Sequence, residues 1–385
     1  MSGPDAVVVG AGLAGLAAAT AVARAGLDTL HVAPKGPVDR RTSALMLPSV
    51  DYLTSSGLVD DPAAVGQPLT RIRIVDDTGR LVRAPETLFD SAEFDLPAFG
   101  WNFPNVRLSE RFEAARAGLP NLRASDSLLA SVSADPGGWR LRLADGTDLV
   151  TPLLVGADGK KSMVRDAVGI QARETAFTQA ALVCDLELGR PLDGTSVEFH
   201  YPNGPFTLVP AGDNRANLVW IDQRDTLAAA QSAGPEGLRE TFLAKSHRLF
   251  GTIQLLTPAH VFPLSTLTVD RAGRDGVVLV GESAHAFPPI GAQGLNLGLR
   301  DVADLALTLA ATDRSQPGWA VRLSDDYASR RAADLGRTGS MVDALFRSLL
   351  SELLPAQALR ASGLWALKLV PPLRRQAIHL GMGSR

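Results

Sequence analysis

Three glycine-marked stretches hold the residues best suited to chemistry. In Val7-Val-Val-Gly10-Ala-Gly12-Leu13-Ala14-Gly15 the glycines stand at G-x-G-x-x-G spacing, after a β-branched run and before an alanine-rich stretch that ends at Gly26. Between a strand and a helix this spacing binds a dinucleotide. Gly10 permits the tight turn, Gly12 lets a pyrophosphate approach the backbone, and Gly15 lets the helix pack on the strand. The helix N-terminus then offers unpaired N–H groups and a positive dipole end to the anion. A second signal is Asp158-Gly159, after the apolar Leu153-Leu-Val155 and before Lys160, Lys161 and Arg165. The third is Gly281-Glu282, after Val277-Val-Leu-Val280 and before His285, Pro289, Gly291, Gly294, Leu295 and Asn296.

Strands must end at each of these signals. Residues 5–9, the helix to Gly26 and a strand over residues 28–33 form a β-α-β unit. In such units an acidic residue commonly ends the second strand and holds the ribose, and here that place falls on Ala33. A helical pattern runs to Ser56 and closes at Gly57, and a strand pair is expected within residues 69–82 around Asp77-Thr-Gly79. Residues 85–99, with their prolines and acids, read as a loop. A helix follows over residues 105–119, then strands at 127–134 and 139–143. Short alternating runs over residues 180–222 predict a mostly antiparallel sheet, and residues 226–250 a polar helical stretch. A buried strand leads into Gly281, a helix begins near Leu295, and the chain is helical from Leu323 onward.

The fold expected is α/β: a Rossmann-like dinucleotide-binding domain with an inserted, mostly antiparallel β-sheet domain and a helical C-terminus. The expected division gives residues 1–70, 101–176 and 266–340 to the dinucleotide-binding domain and residues 71–100 and 177–265 to the inserted sheet domain. Residues 341–385 form the C-terminal helical region.

The bulk composition narrows the function. With 385 residues, 45% hydrophobic and 21% charged, the chain has the composition of a soluble globular protein. A net charge of −3 gives no basic field for nucleic acid. The single Cys184, in an apolar run, excludes a disulfide framework and a cysteine metal site and is expected as a buried thiol. No His/Asp/Glu cluster has metal spacing, and no G-x-S-x-G nucleophile elbow occurs. Residues 6–23 carry no charge over about the length of a membrane span. No basic segment precedes them and Gly26 closes them as a helix, so a cytoplasmic location is expected.

In this order, the three motifs resemble those of the class A flavoprotein monooxygenases of the p-hydroxybenzoate hydroxylase fold, and within them the ubiquinone-biosynthesis hydroxylase branch. Asp158-Gly159 matches the family's D-G, and Gly281-Glu282 stands where the family has G-D. His285, Pro289, Gln293, Gly294 and Asn296 match H-x-x-x-P-x-x-x-Q-G-x-N. Asp39-Arg40-Arg41-Thr42-Ser43-Ala44-Leu45 resembles D-x-R-T-x-A-L, and Asn105-Val-Arg-Leu108 matches N-x-x-L. Gly204-Pro205 through Pro210, then Val219-Trp220, continues the likeness, as does the tail from Val370-Pro371-Pro372 to Gly383.

The resemblance implies that the dinucleotide-binding domain is an FAD-binding domain of the GR2 type and the inserted sheet its substrate domain, with FAD held by Gly10, Gly12, Leu13, Ala14, Gly15, Arg41, Asn105, Asp158, Gly159, Gly281, Glu282, Pro289, Gly291, Gly294, Leu295 and Asn296. It places Pro289 and His285 at catalytic positions, with NAD(P)H as a visiting co-substrate. The implied reaction hydroxylates a small phenolic substrate, in this branch a ubiquinone precursor, with O2 through a flavin C4a-hydroperoxide. His200 with Tyr201 is placed on a sheet strand that could face substrate, with a half-exposed strand pair as the alternative, and His31 is read as structural. The C-terminal mixture of Leu, Trp and cations is expected to lie on a membrane surface or to pack on the FAD domain. Ala33 and Glu282 depart from the family pattern and motivate a rival reading, a non-catalytic partner with weakened FAD binding. A flavin-dependent reductase of the same fold, without oxygen insertion, is the second rival.

Overall fold

The computed structural model describes residues 3–79, 83–350 and, with breaks, 362–382. Its nucleotide sheet is assembled from distant pieces of chain. Six strands lie in the order Gly273–Arg274, Val277–Leu279, Leu153–Gly156, Ala6–Val9, Thr29–Val32 and Leu122–Ser125. All neighbours are parallel except the first pair. Both faces are covered, which is why the central strands are apolar throughout. Ala6, Val8, Val155 and Val278 face the helices Leu13–Arg24, Asn105–Ala117, Gln293–Ala311 and Trp319–Leu350. Val7, Val9, Leu154 and Leu279 face a three-stranded meander of Leu129–Asp135, Gly138–Leu143 and Asp148–Thr151.

The second large sheet has nine strands. Its order is His285–Ala286, His260–Val269, Ala172–Leu188, Arg215–Gln223, Gly204–Pro210, Thr195–Tyr201, Arg71–Asp76 and Thr87–Asp90, with Ile253–Leu255 added to the end of Ala172–Leu188. It is antiparallel except where Arg71–Asp76 runs parallel to Thr195–Tyr201. The helices Arg224–Ser232 and Gly234–Lys245 bury one face, which carries Leu182, Leu186, Phe199, Phe206, Leu218 and Trp220. Cys184 lies on the same face and is buried, and burial pushes its thiol up to about 12.

Several sequence expectations change. Residues 80–82, where the expected strand pair continues past Asp77-Thr-Gly79, lie outside the described residues, and Arg71–Asp76 pairs with Thr87–Asp90, inside the stretch expected to be a loop. Pro85, Glu86, Glu93 and Asp95 lie just outside this strand, while Thr87 and Phe89 point inward. Residues 226–250 are two helices, because Gly234 takes φ +74° and breaks the run. Thr42–Met46 is an unexpected strand, paired antiparallel with Gly100–Pro104, which also pairs with Gln67–Leu69. The C-terminal helix Pro371–Met382 packs on the substrate sheet and also meets the nucleotide half, where Gln293 Nε2 donates to the Gly381 carbonyl at 3.1 Å. Ile378 and Met382 join Ile72, Ile74, Phe89 and Phe99, and Arg374 lies 4.5 Å over the Phe89 ring. Among the described residues no helix is long and apolar enough to cross a membrane.

Candidate flavin and substrate site

The first motif is built by close backbone contact. A methyl at Gly10, φ +134°, would lie 2.1 Å from the Ala157 carbonyl oxygen, and one at Gly15 would lie 2.0 Å from the Gly10 carbonyl oxygen. Both positions therefore exclude any side chain. Gly12 differs: a methyl there would meet no protein atom within 4 Å. Ala11 and Gly12 are exposed, Leu13 and Ala14 half-buried, and no side chain caps the helix that starts at Leu13. An open mouth at an uncapped helix N-terminus fits a pyrophosphate. His31 braces it from beneath, with Nε2 2.8 Å from the Gly10 carbonyl oxygen and Nδ1 3.3 Å from Arg116. Burial pushes the His31 imidazole down to about 4, so at neutral pH it is uncharged and donates to Gly10. The reading of His31 as a structural residue matches this geometry.

The second and third motifs are laced together by Ser283, which sequence reasoning did not single out. Asp158 Oδ1 accepts from Ser162 Oγ at 2.5 Å and from Ser283 Oγ at 3.1 Å, and Gly159 N–H donates to Ser283 Oγ at 3.0 Å. Arg165 Nη1 donates to the Ser283 carbonyl at 3.2 Å. Asp158 is thus held inward by the turn, while Glu282 beside Ser283 is exposed.

Arg41 and Asn105 meet on Asp39. Arg41 forks onto it at 2.8 and 2.9 Å, and Asn105 Nδ2 donates to it at 2.9 Å. Burial opposes the charge on Asp39, but these donors hold its carboxyl below the usual range. Only the adjacency of Asp39 and Arg41 in the sequence hinted at this cluster. Asn296 does not point to the mouth. Its Oδ1 accepts from Met46 N–H at 2.8 Å and its Nδ2 donates to the Ala44 carbonyl at 2.9 Å, tying the long helix to Thr42–Met46. Gln293 is buried and donates to the Gly291 carbonyl at 3.0 Å and the Gly381 carbonyl at 3.1 Å. Pro289, Gly291 and Gly294 stay exposed, Leu295 is half-buried, and Ile290 packs against Ala181, Ile221 and Leu264 of the large sheet.

Beneath Gly281 lies a buried charge network. Asp301 Oδ2 accepts from Gly281 N–H at 2.9 Å and sits 2.6 Å from His285 Nε2. Arg331, with no exposed side chain, pairs with Asp301, Asp304 and Asp334 at 2.7, 2.8 and 2.7 Å. The Asp301 contact is an ion pair by distance but is not aligned as a hydrogen bond. Burial works against the Asp301 charge, and His285 and Arg331 nevertheless hold its carboxyl below the ordinary value. His285, expected at a catalytic position, therefore stands under the turn with its side chain 1% exposed.

Residues 4–336 match the FAD binding domain family. The chain belongs to that family. It is 31% identical to ubiquinone hydroxylase UbiL of Rhodospirillum rubrum, over 99% of this chain and 90% of the relative. It is 29% identical to the 3-demethoxyubiquinol 3-hydroxylase of Escherichia coli, over 98% and 97% of the two chains. The p-nitrophenol 4-monooxygenase PnpA of Pseudomonas putida has the same fold, with a TM-score of 0.80 at 19% identity over 100% and 99% of the chains. The protein is an FAD-dependent monooxygenase of the class A type, which overturns the non-catalytic reading.

In this monooxygenase the sheet face opposite the two helices looks toward the Ile290 loop. Its middle row, by register, is Ile74, Glu198, Thr207, Val219 and Val183. All five are half-buried, so the row forms a floor with open space above it. His200 lies on this face beside Glu198, whereas Tyr201 points the other way and donates to the Lys245 carbonyl at 2.7 Å. Within the pair flagged from sequence, only His200 faces the floor.

Proposed function

We propose that this monooxygenase hydroxylates a phenolic ring, with a ubiquinone precursor as the substrate class, using NAD(P)H and O2. The observation that carries the reading is that Gly12, Glu282, Pro289, Gly291 and Gly294 are all exposed while Ile290, in the same loop, seats on the large sheet against Ala181, Ile221 and Val219. A ring on that floor lies next to a cofactor held at the mouth. The residues fit FAD by the open approach at Gly12. Gly10, Gly12, Gly15 and Gly159 hold the phosphates and Glu282 and Arg41 the sugar and ring side; Pro289, Gly291 and Gly294 line the flavin ring. Bound FAD supplies reducing equivalents and oxygen activation. The chain contributes position, a sheet floor of Ile74, Val183 and Val219 interrupted by Glu198 and Thr207, and the positive end of the Gln293–Ala311 helix, which has no side-chain cap. His285, in this reading, positions the Gly281 turn through Asp301 and does not touch the substrate.

NAD(P)H finds cations next to the second motif, where Lys160, Lys161 and Arg165 line an open groove and Lys161 is exposed. The test uses FAD-loaded protein, NADPH, a series of phenols and isotopically labelled O2. A product heavier by one labelled oxygen, with NADPH consumption stimulated by the phenol, is expected. NADPH consumed with no label in any product would leave the reductase reading in its place.

The C-terminal region supports a peripheral membrane contact suited to a prenylated phenol. After Glu352 the chain has no acidic residue and five Lys or Arg, at positions 360, 368, 374, 375 and 385. Leu369 and Leu380 are 70% and 58% exposed, beside a half-exposed Trp365. Flotation with anionic vesicles is expected to carry the protein upward, and changing Leu369, Leu373 and Leu380 together to Ser to release it. Equal flotation of the triple variant would refute the contact.

A further inference from the structure

The middle row of the substrate floor carries a carboxylate, Glu198, and it is paired with a histidine. Along Thr195–Tyr201, side chains alternate between the two faces of the sheet. Val197 and Phe199 enter the core beneath the helices, which places Ser196, Glu198 and His200 on the face of the Ile290 loop. Glu198 stands in register with Thr207, and Thr207 with Val219, which packs against the Ile290 cluster. Two strand spacings separate Glu198 from Val219, about 10 Å. On its other side Glu198 registers with Ile74, which packs with Met382 and Phe89 under the C-terminal helix. The carboxylate therefore lies mid-floor, between the loop that lines the flavin and the helix that closes the far wall.

His200 Nε2 is 3.3 Å from Glu198 Oε2, with the side chains 10% and 28% exposed. Glu198 is the more open member and the one a ligand reaches first. His200 is held on its far side, in register with Asp76 and Pro205.

Resting on the phenol-hydroxylase reading, we propose that Glu198 is a catalytic residue that accepts the phenolic proton of the substrate and that His200 is the positioning residue that orients its carboxylate. Electrophilic attack is fastest on an oxyanion-substituted ring, so a phenol must lose its proton as the new C–O bond forms. The step balances without a further reagent. The phenol O–H breaks, its electron pair stays on oxygen, and the proton passes to the Glu198 carboxylate, which becomes a neutral acid that donates a hydrogen bond back to the oxyanion. His200, with Nε2 3.3 Å from Glu198 Oε2, holds that carboxylate in place.

The experiment compares wild type, Glu198→Gln, Glu198→Asp and His200→Gln, all loaded with FAD. Binding of a phenol and of its methyl ether, which has no proton to give, is followed by flavin absorbance, and hydroxylation is measured beside peroxide release. Glu198→Gln is expected to slow hydroxylation at least 100-fold, a general-base effect, and to divert reducing equivalents to peroxide. It should weaken the phenol about tenfold and leave the methyl ether unchanged. Glu198→Asp should recover part of the rate, and His200→Gln should lower kcat with little change in KM. Thermal melting controls for folding. A Glu198→Gln enzyme that hydroxylates the phenol at the wild-type rate overturns the proton role while the hydroxylase reading stands. A wild type that hydroxylates no phenol overturns both.

Discussion

Replacing Arg331 with methionine is expected to lower the thermal midpoint by about 10 °C and to release FAD. The guanidinium is fully buried and is shared by Asp301, Asp304 and Asp334. Methionine matches its length and leaves three carboxylates without their common cation. Removing one partner of a buried pair costs about 3–5 kcal/mol, a large part of the 5–15 kcal/mol that stabilises a typical domain. At roughly 2–4 °C per kcal/mol the midpoint falls by about that 10 °C. Lysine keeps the charge but cannot fork onto several carboxylates, so Arg331→Lys should recover only part of the loss. The cofactor effect follows from Asp301, which holds the Gly281 amide. Melting curves with and without added FAD check both parts, and a midpoint within 2 °C of wild type would rule out the network as a foundation of the site.

The second large effect separates two glycines of one motif. Gly15→Ala is expected to give little folded protein, because the methyl would stand 2.0 Å from the Gly10 carbonyl oxygen and neither backbone can retreat. Gly12→Ala meets no protein atom within 4 Å and should fold with an unchanged melting curve as apoprotein. Its methyl takes the space through which the pyrophosphate approaches. Losing two N–H contacts at ~1.5 kcal/mol each weakens FAD by about 100-fold, read by quenching of FAD fluorescence. Tight FAD binding by Gly12→Ala would show that the phosphates lie elsewhere.

Much of the nucleotide half was legible because its signals are local. A β-branched run, a glycine turn and an alanine helix sit within residues 6–26, and Leu153–Gly156 and Val277–Leu279 end at their own glycines. The short pieces were not. Thr42–Met46 and Thr87–Asp90 have too few residues for periodicity to show, and each becomes a strand only because a distant strand pairs with it. Asp301, Asp304, Arg331 and Asp334 read in sequence as ordinary helix charges, since nothing local reveals that two helices turn them toward each other beneath Gly281. Asn296 was flagged for the cofactor from its motif, yet its hydrogen bonds tie together two pieces of backbone. Sheet orientation was equally hidden. Alternation separates Phe199 from His200, but only the helices packed on Phe199 show which of the two lies on the open face of the sheet.

The order of pieces in the nucleotide sheet bears on how the protein is made. Ala6–Val9 pairs with Leu153–Gly156, and that strand pairs in turn with Val277–Leu279. The last pairing has to wait until residue 279 has left the ribosome. At roughly 5–20 residues per second that is on the order of 15–55 s after Ala6–Val9 is made. Throughout that interval the first helix, with Leu16, Ala17, Ala18, Ala19 and Val22 destined for the core, lacks the Gln293–Ala311 helix that will cover it. The glycine turn at Gly10–Gly15 therefore gains its finished surroundings only once the third motif has been made.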